Sequence, residues 1–261
     1  MIFAAYLLIG AFAGVIAGLL GVGGGLIIVP SLVFLFAEQG MAVGVLTHVA
    51  IGTSLATIVL TSISSIRTHH LNQGVRWEIF RVLMVGIVVG ALLGAVMADS
   101  IQGPILQKLI GVFAVLVATQ MAFGLKPSAS RDVPGSGGLV AAGGLIGSVS
   151  AIFGIGGGSL SVPILTYYSV PIRQAVGTSA ACGLPIAVAG AIGFIVTGWG
   201  EQDLPEGATG YVYWPAFLGI VTTSIICARI GAKLAHRIPA VMLKRVFSAV
   251  LFVVGLKFLV Y

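Results

Sequence analysis

The chain has 261 residues, of which 58% are hydrophobic and 8% charged, and its mean hydropathy is +1.15. Soluble domains carry about 25% charged residues, so this composition excludes a soluble enzyme or binding domain. The net charge is +6, but the basic residues lie at predicted helix ends, where they set membrane topology. We therefore exclude nucleic acid as a partner and expect the lipid bilayer instead.

Five apolar segments precede a linker rich in Pro, Ser and Gly, and five follow it. They cover 2–20, 26–37, 42–66, 78–98 and 105–125, and then 138–153, 159–170, 172–198, 212–235 and 241–260. We predict an all-α polytopic membrane protein with a first transmembrane repeat at 1–125, a cytoplasmic linker at 126–138 and a second transmembrane repeat at 139–261. The second segment of each half has about 12 residues, or ~18 Å as a helix, which is too short to cross a bilayer.

An internal repeat relates the two halves. The run Gly-Val-Gly-Gly-Gly-Leu-Ile-Ile-Val-Pro at 21–30 returns 133 positions later as Gly-Ile-Gly-Gly-Gly-Ser-Leu-Ser-Val-Pro at 154–163. Other pairs follow in the same order: Gly10 and Gly14 with Gly143 and Gly147, 52–54 with 177–179, 75–77 with 212–214, and 94–95 with 231–232. This order indicates two copies of one structural unit.

Charge predicts how the two copies are oriented. Lys and Arg concentrate at 67–81, in the linker, at Arg173 and at 233–245, whereas Glu and Asp cluster at 201–206. The positive-inside rule assigns the basic sites to the cytoplasm. Each half then forms a glycine-tipped helical hairpin plus three spanning helices, and because three crossings is odd, the repeats have inverted topology. Whether segment 2–20 counts as a full span stays open.

The two glycine runs are the predicted hairpin tips. Consecutive glycines disfavour a helix, and broken backbone at membrane depth is tolerated where it lines a cavity. A helix that starts at the tip would offer free N–H groups and a positive dipole end to an anion. The alternative is that the glycines only permit close helix packing. Pro30 and Pro163 either kink the short helices or start them at their first position.

Hydroxyl and cationic side chains recur at equivalent positions. The Gly-Thr-Ser triplets at 52–54 and 177–179 lie within apolar segments and could replace an anion's hydration, or bond back to their own helices. His48 and Arg173 each precede a triplet by one helical turn and could attract anions at each entrance, although Arg173 could also be a topology signal. Arg229 is a weaker anion-site candidate, and His69 and His70 are expected to be solvated in a basic loop.

These arguments define a set of candidate substrate-binding residues: Gly23, Gly24, Gly25, His48, Thr53, Ser54, Gly156, Gly157, Gly158, Arg173, Thr178 and Ser179. No carboxylate lies deep in a predicted span, which disfavours a cation or proton site. The sequence has no nucleophile elbow, Walker lysine or metal-ligand spacing. We therefore expect no catalytic residue, metal or cofactor, and an intramembrane enzyme that uses His48 as a base is disfavoured.

The glycine run at 21–30, the Ala-Val-Gly-Thr-Ser at 175–179 and the segment His-His-Leu-Asn-Gln-Gly-Val-Arg-Trp at 69–77 resemble the TauE/SafE family of sulfite exporters. This resemblance implies a secondary transporter of sulfite or small organosulfonates such as sulfoacetate. We expect a multi-pass protein of the cell inner membrane with alternating access to one central site at the repeat interface. A passive anion channel or a transporter of another small anion are the alternatives. The oligomeric state, including a homodimer, is left open.

Overall fold

The computed structural model describes residues 2–20, 24–123, 132–235 and 240–260. In those residues ten helices follow one another, because long apolar stretches must pair their backbone groups internally in lipid. The first five are α1 (Ile2–Leu20), α2 (Gly25–Glu38), α3 (Val43–Leu71), α4 (Trp77–Asp99) and α5 (Gly103–Phe123). The second five are α6 (Ser136–Phe153), α7 (Gly158–Tyr167), α8 (Ile172–Thr197), α9 (Trp214–Ala235) and α10 (Ala240–Val260).

The structure confirms the predicted all-α polytopic class. Helices α3, α4, α5, α6 and α8 are each long and apolar enough to cross a membrane. The short helices α2 and α7 contain 14 and 10 residues, as expected for the second segment of each half. All ten helices lie at the predicted places, with ends that differ by a few residues.

Two local features differ from the prediction. Helix α3 runs to Leu71, so His69 and His70 lie in its last turn and not in a loop. An antiparallel pair of two-residue strands, β1 (Ala208–Thr209) and β2 (Val212–Tyr213), precedes α9. Gly210 turns the chain between these strands with a φ of 52°, in a segment that the sequence assigned only to an outside loop and the start of a helix.

Glycine contacts hold two pairs of helices close together. Helix α1 packs on α9, where a Cβ at Gly14 would lie 2.6 Å from the carbonyl oxygen of Ser224, and Gly10 touches Ile220. Helix α6 packs on α4 in the same way, with Gly143 against Leu83 and Gly147 against Ile87. Because Leu83 and Ile87 are 137 positions before Ile220 and Ser224, the second set of contacts repeats the first.

Helices α3 and α8 form the central pair. A Cβ at Gly52 would lie 3.2 Å from the Cβ of Phe194, and one at Gly183 would lie 3.1 Å from the Oγ of Ser62. From the first contact to the second, the residue number rises on α3, from 52 to 62, and falls on α8, from 194 to 183. These two equivalent helices therefore run antiparallel. Every residue of α3 from 45 to 58 is buried. The large apolar side chains of α4 that point away from the bundle, among them Val85, Val89 and Leu93, are more than half exposed and form a surface suited to lipid.

The close packing of α4 on α6 predicts a strong effect of Gly90→Leu. A Cβ at Gly90 would lie 2.8 Å from the carbonyl carbon of Gly144 and closer still to its oxygen. Overpacking of this kind costs about 1–3 kcal/mol or more, so the thermal unfolding midpoint in detergent should fall. Gly44→Leu is the matched control, because nothing lies within 4 Å of a Cβ at Gly44. Equal midpoints for the two variants would contradict the packing argument.

Candidate functional site

The tip of the second hairpin joins α6 to α7 through glycines that adopt left-handed backbone conformations. Gly154 ends α6 with a φ of 67°, and Gly157 precedes α7 with a φ of 76°. These angles favour glycine, because a Cβ would be strained there. Within the described residues, the backbone N–H groups of 156–159 have no hydrogen-bond acceptor. The tip therefore presents free donors at the positive end of α7.

The first hairpin tip meets the second one. Helix α2 begins at Gly25, and a Cβ at Gly25 would contact the carbonyl oxygen of Gly154. The hydroxyl of Ser54 donates to this same carbonyl at 2.9 Å. Gly24 lies next to this junction, whereas Gly23 falls outside the described residues. The candidate tips are thus brought together at the centre of the bundle.

The helices after both tips are continuous through their prolines. Pro30 and Pro163 lie inside α2 and α7, each five residues after the helix begins. The alternative in which these prolines start the helices is therefore wrong. Since Pro has no N–H, the carbonyls of Leu26 and Ser159 cannot receive the usual bond from four residues ahead.

A cavity of about 190 Å³ lies beside the two tips. Its deep end is lined by Gly24, Gly156, Gly158, Ser62, Ser179 and Gly183. Apolar residues form its side walls: Ala13, Ala17, Ile28, Ile58, Ile225 and Ala228. From the deep end it follows α3 past Thr61, Ser65 and Thr68 to His69. The cavity thus combines polar donors at the hairpin tips with an apolar side and a path along α3.

The two threonines of the Gly-Thr-Ser triplets accept hydrogen bonds from backbone N–H groups of distant loops. The N–H of Tyr213 donates to Thr53 Oγ1 at 3.0 Å, and the N–H of Arg76 donates to Thr178 Oγ1 at 2.9 Å. Both hydroxyls are fully buried, and the two bonds occupy equivalent positions in the repeat. Each threonine therefore holds the loop that precedes α9 or α4 against the central helix pair.

The two serines of the triplets have different surroundings. The Ser54 hydroxyl is engaged by Gly154, as described above. The Ser179 hydroxyl is 2% exposed, has no hydrogen-bond partner and lies on the cavity wall. Of the four candidate triplet hydroxyls, that of Ser179 is available to a ligand.

The two candidate cations lie away from the cavity. His48 is buried on α3, and its Nε2 lies 3.0 Å from the carbonyl oxygen of Ala98 and 3.1 Å from that of Ile101. Since both partners are acceptors, this nitrogen carries the proton. Arg173 is exposed and donates to the carbonyl of Asn72 at 3.3 Å. The side chain of Arg229 lies outside the described part of the chain.

The turn between β1 and β2 covers one end of the central helix pair. Tyr211 stacks on His48 at 5.0 Å between ring centroids, and its carbonyl contacts Gly52. Its phenol donates to Asp99 at 2.9 Å. Burial, together with this carboxylate, raises the pKa of Tyr211, so the phenol stays a donor. At the other end, Gly74 makes the equivalent backbone contact with Gly177.

The structure adds polar residues that the repeat could not reveal. Ser62, Ser65 and His69 line the cavity, but the positions 125 residues later on α8 are Ala187, Gly190 and Phe194. Because this pattern occurs in only one half, a comparison of the two halves does not detect it. The spacing of 62, 65 and 69 on one helical face is the signal that could have found them.

Two further serines lie behind the second tip. A Cβ at Gly157 would lie 3.5 Å from the Oγ of Ser150 and 3.4 Å from that of Ser161. Both hydroxyls are fully buried without a partner, and they do not line the cavity. Their positions in the first repeat hold Ala17 and Ile28, so the second tip has the more polar surroundings.

The described side chains contain no cluster of three or more His, Cys, Asp or Glu that could hold a metal ion. Both cysteines are free: Cys182 is buried and Cys227 half-buried. The cavity wall offers hydroxyl and backbone N–H donors, groups that can bind an anion.

Short helices that begin at a glycine-rich break and border a cavity are typical of membrane transporters. The sequence model of the sulfite exporter TauE/SafE family matches residues 6–258. The chain belongs to this family, as its sequence resemblance predicted. No solved structure matches it significantly.

Curated relatives carry the same general description. A probable membrane transporter protein of Haemophilus influenzae is 39% identical over 253 residues, which cover 96% of this chain and 95% of the relative. One from Methanocaldococcus jannaschii is 28% identical, with 96% and 92% covered. These names describe membrane transporters and not enzymes. The chain is thus a multi-pass membrane transporter that acts on a small molecule.

The contrast between Ser54 and Ser179 predicts that, without ligand, only Ser54→Ala lowers the stability of the protein. Ser54→Ala leaves the buried carbonyl of Gly154 without its donor, which costs about 1–3 kcal/mol. Ser179→Ala removes a hydroxyl that has no partner, so stability should stay unchanged or rise. Thermal unfolding of both variants in detergent, in anion-free buffer, tests this. An equal loss of stability in the two variants would mean that Ser179 has a structural partner.

Proposed function

We propose that this chain is a secondary transporter of small sulfur-containing anions, and that the anion binds at the deep end of the cavity. The observation that carries the proposal is the set of free donors there: the N–H groups at the second hairpin tip and the hydroxyl of Ser179. No carboxylate lines the cavity in the described residues. A cation would find no counter-charge, whereas an anion would find donors and the positive end of α7.

Neutral donors can hold an anion without trapping it. The N–H groups of Gly156 and Gly158 and the hydroxyls of Ser62 and Ser179 would replace part of its hydration shell. The apolar walls lower the local dielectric constant, which strengthens each bond. Because no fixed positive charge pairs with the anion at this depth in the described residues, its release breaks no buried ion pair, a step that would be costly.

We infer a sulfur-containing substrate from the family to which the chain belongs. The family is described as a sulfite exporter family, whereas the curated relatives are named as membrane transporters without a substrate. Sulfite and organosulfonates such as sulfoacetate share an anionic group with several acceptor oxygens, which suits a cluster of donors. A panel of small anions, scored by thermal stabilisation of the purified protein, tests this choice. Stabilisation by non-sulfur anions alone would favour a transporter of another anion.

We further propose that the two halves are inverted repeats that give alternating access. Support comes from the antiparallel course of the equivalent helices α3 and α8. The bonds from Tyr213 to Thr53 and from Arg76 to Thr178 also support it, because they fasten equivalent loops at opposite ends of this pair. Releasing one loop while the other stays fastened would expose the central site to one side of the membrane at a time.

Flux measurements separate a carrier from a channel. In proteoliposomes, a carrier should saturate and exchange labelled sulfite against unlabelled sulfite on the opposite side. Flux at channel rates without counter-transport would overturn the alternating-access proposal and favour the passive anion channel.

Cysteine labelling tests the orientation. In a chain whose two native cysteines are replaced by alanine, Asn72→Cys should react with an impermeant reagent from the cytoplasmic side, and Asp203→Cys from the outside. The positive-inside rule gives the reason, because Asn72 lies among basic residues and Asp203 among acidic ones. Reaction of both positions from the same side would contradict the proposed inverted topology.

Loss of one donor should weaken anion binding by a predictable amount. A hydrogen bond to a charged group contributes about 1.5–3 kcal/mol, so Ser179→Ala should raise the Kd for sulfite or sulfoacetate about 10- to 150-fold. Binding can be measured by calorimetry in detergent. Thr222→Ala is a control, since that hydroxyl donates to the carbonyl of Leu218 and does not line the cavity. An unchanged Kd for Ser179→Ala would move the site onto backbone groups alone.

A further inference from the structure

His69 occupies a special position on the cavity wall. It lies in the last turn of α3, at the end of the cavity away from the hairpin tips. Among the described residues that line the cavity, it alone has a side chain that titrates. Histidine is the side chain whose charge can change in the physiological pH range, so the cavity wall can carry a positive charge at this point in acid and lose it as the pH rises.

The neighbouring histidine has a different role. The ring of His70 accepts a hydrogen bond from Trp77 Nε1 at 3.2 Å and packs edge-on against that indole. The ring of His69 makes no hydrogen bond within the described residues, although its backbone carbonyl accepts from the N–H of Gly74 at 2.9 Å. The His69 imidazole is thus free to bind a ligand, and its substitution leaves the backbone contact in place.

A line of hydroxyls joins His69 to the hairpin tips. Ser65 and Ser62 lie four and seven positions before His69, which puts all three on one face of α3. Seven residues of helix span about 10 Å. Neither serine hydroxyl makes a hydrogen bond within the described part of the chain. The three side chains therefore place a possible donor at each helical turn along the cavity wall, from His69 toward the hairpin tips.

We propose that His69, in its protonated form, is a second anion-binding residue at the mouth of the cavity and selects anions for entry. This inference rests on the proposed function, because it names a further binding position on the path to the same site. The anion would contact the imidazolium first and then move along Ser65 and Ser62. A sulfonate or sulfite group fits this position, since its oxygens accept from the imidazolium N–H.

Apart from His70, the neighbouring charged groups are Arg and Glu side chains, whose charges stay fixed between about pH 6 and 8. On α3 the other groups are the exposed Arg67 and His70. Arg76 pairs with the exposed Glu78 at 3.6 Å, and Arg173 of α8 bonds to the Asn72 carbonyl. The described cavity residues of α1 and α9 carry no titratable side chain. Apart from His70, whose ring is held by Trp77, His69 is thus the group that changes charge near the mouth.

The experiment measures methanesulfonate binding to the full-length protein as a function of pH, from about 5 to 8. A sulfonate stays a monoanion throughout this range, so any pH dependence comes from the protein. The imidazolium form attracts the anion, and affinity should therefore rise as the pH falls through the pKa of His69. One unit charge near a partly solvated ligand corresponds to about a 3- to 10-fold change in Kd.

Two variants of His69 and one control make the test specific. His69→Gln should bind weakly at every pH, and His69→Arg should bind tightly at every pH, because its charge is permanent. His70→Gln should keep the wild-type pH profile. Thermal unfolding of each variant checks that it is folded, and the opposite signs of the two His69 variants exclude a general loss of structure.

The outcomes separate this inference from the proposed function. A wild-type pH profile in both His69→Gln and His69→Arg would overturn the role of His69, while the central anion site would stand. A wild-type protein that binds neither methanesulfonate nor sulfite at any pH would overturn the proposed function and this inference together.

Discussion

In hydrocarbon, an unpaired backbone N–H or C=O costs several kcal/mol, and both hairpins break their helices at the centre of the bundle. Each break needs partners for its backbone. The carbonyl of Gly154 accepts a hydrogen bond from the hydroxyl of Ser54, and Gly25 packs closely against it. The N–H groups of 156–158 receive no protein acceptor in the described residues, and Gly156 and Gly158 border the cavity. The second tip is thus packed at the carbonyl of Gly154 and keeps free N–H donors at 156–158.

Packing follows the repeat, whereas the cavity does not. The contacts of α1 with α9 return as those of α6 with α4, and the threonine bonds to distant loops occur twice. These interactions support the frame, which both halves share. The cavity, by contrast, takes its polar wall from the second tip and from one face of α3, and an apolar wall from α1 and α9. The helix contacts of the two halves are therefore alike, whereas the walls of the cavity differ.

The hydrogen bonds accepted by Thr53 and Thr178 hold equivalent loops of the two halves. Thr53 and Thr178 hold loops that lie at opposite ends of the antiparallel pair α3 and α8. Tyr211 adds a stack on His48 and a bond to Asp99 at one end only, so the two closures are built differently. Because buried hydrogen bonds contribute about 0.5–1.5 kcal/mol each, each threonine bond adds only modestly to the stability of the fold.

The sequence by itself determined the membrane class, the places of the ten helices and the break between α6 and α7, and it predicted the equivalence of the halves. These follow from apolar length, glycine runs and charge, which act locally along the chain. It could not determine which triplet hydroxyls are free, because the partners of Thr53, Ser54 and Thr178 are 100 or more residues away. Nor could it separate His69 from His70, since the difference lies in Trp77 and in the cavity wall. Only the tertiary structure decided these points, because hydrogen-bond satisfaction and exposure depend on which distant segments meet.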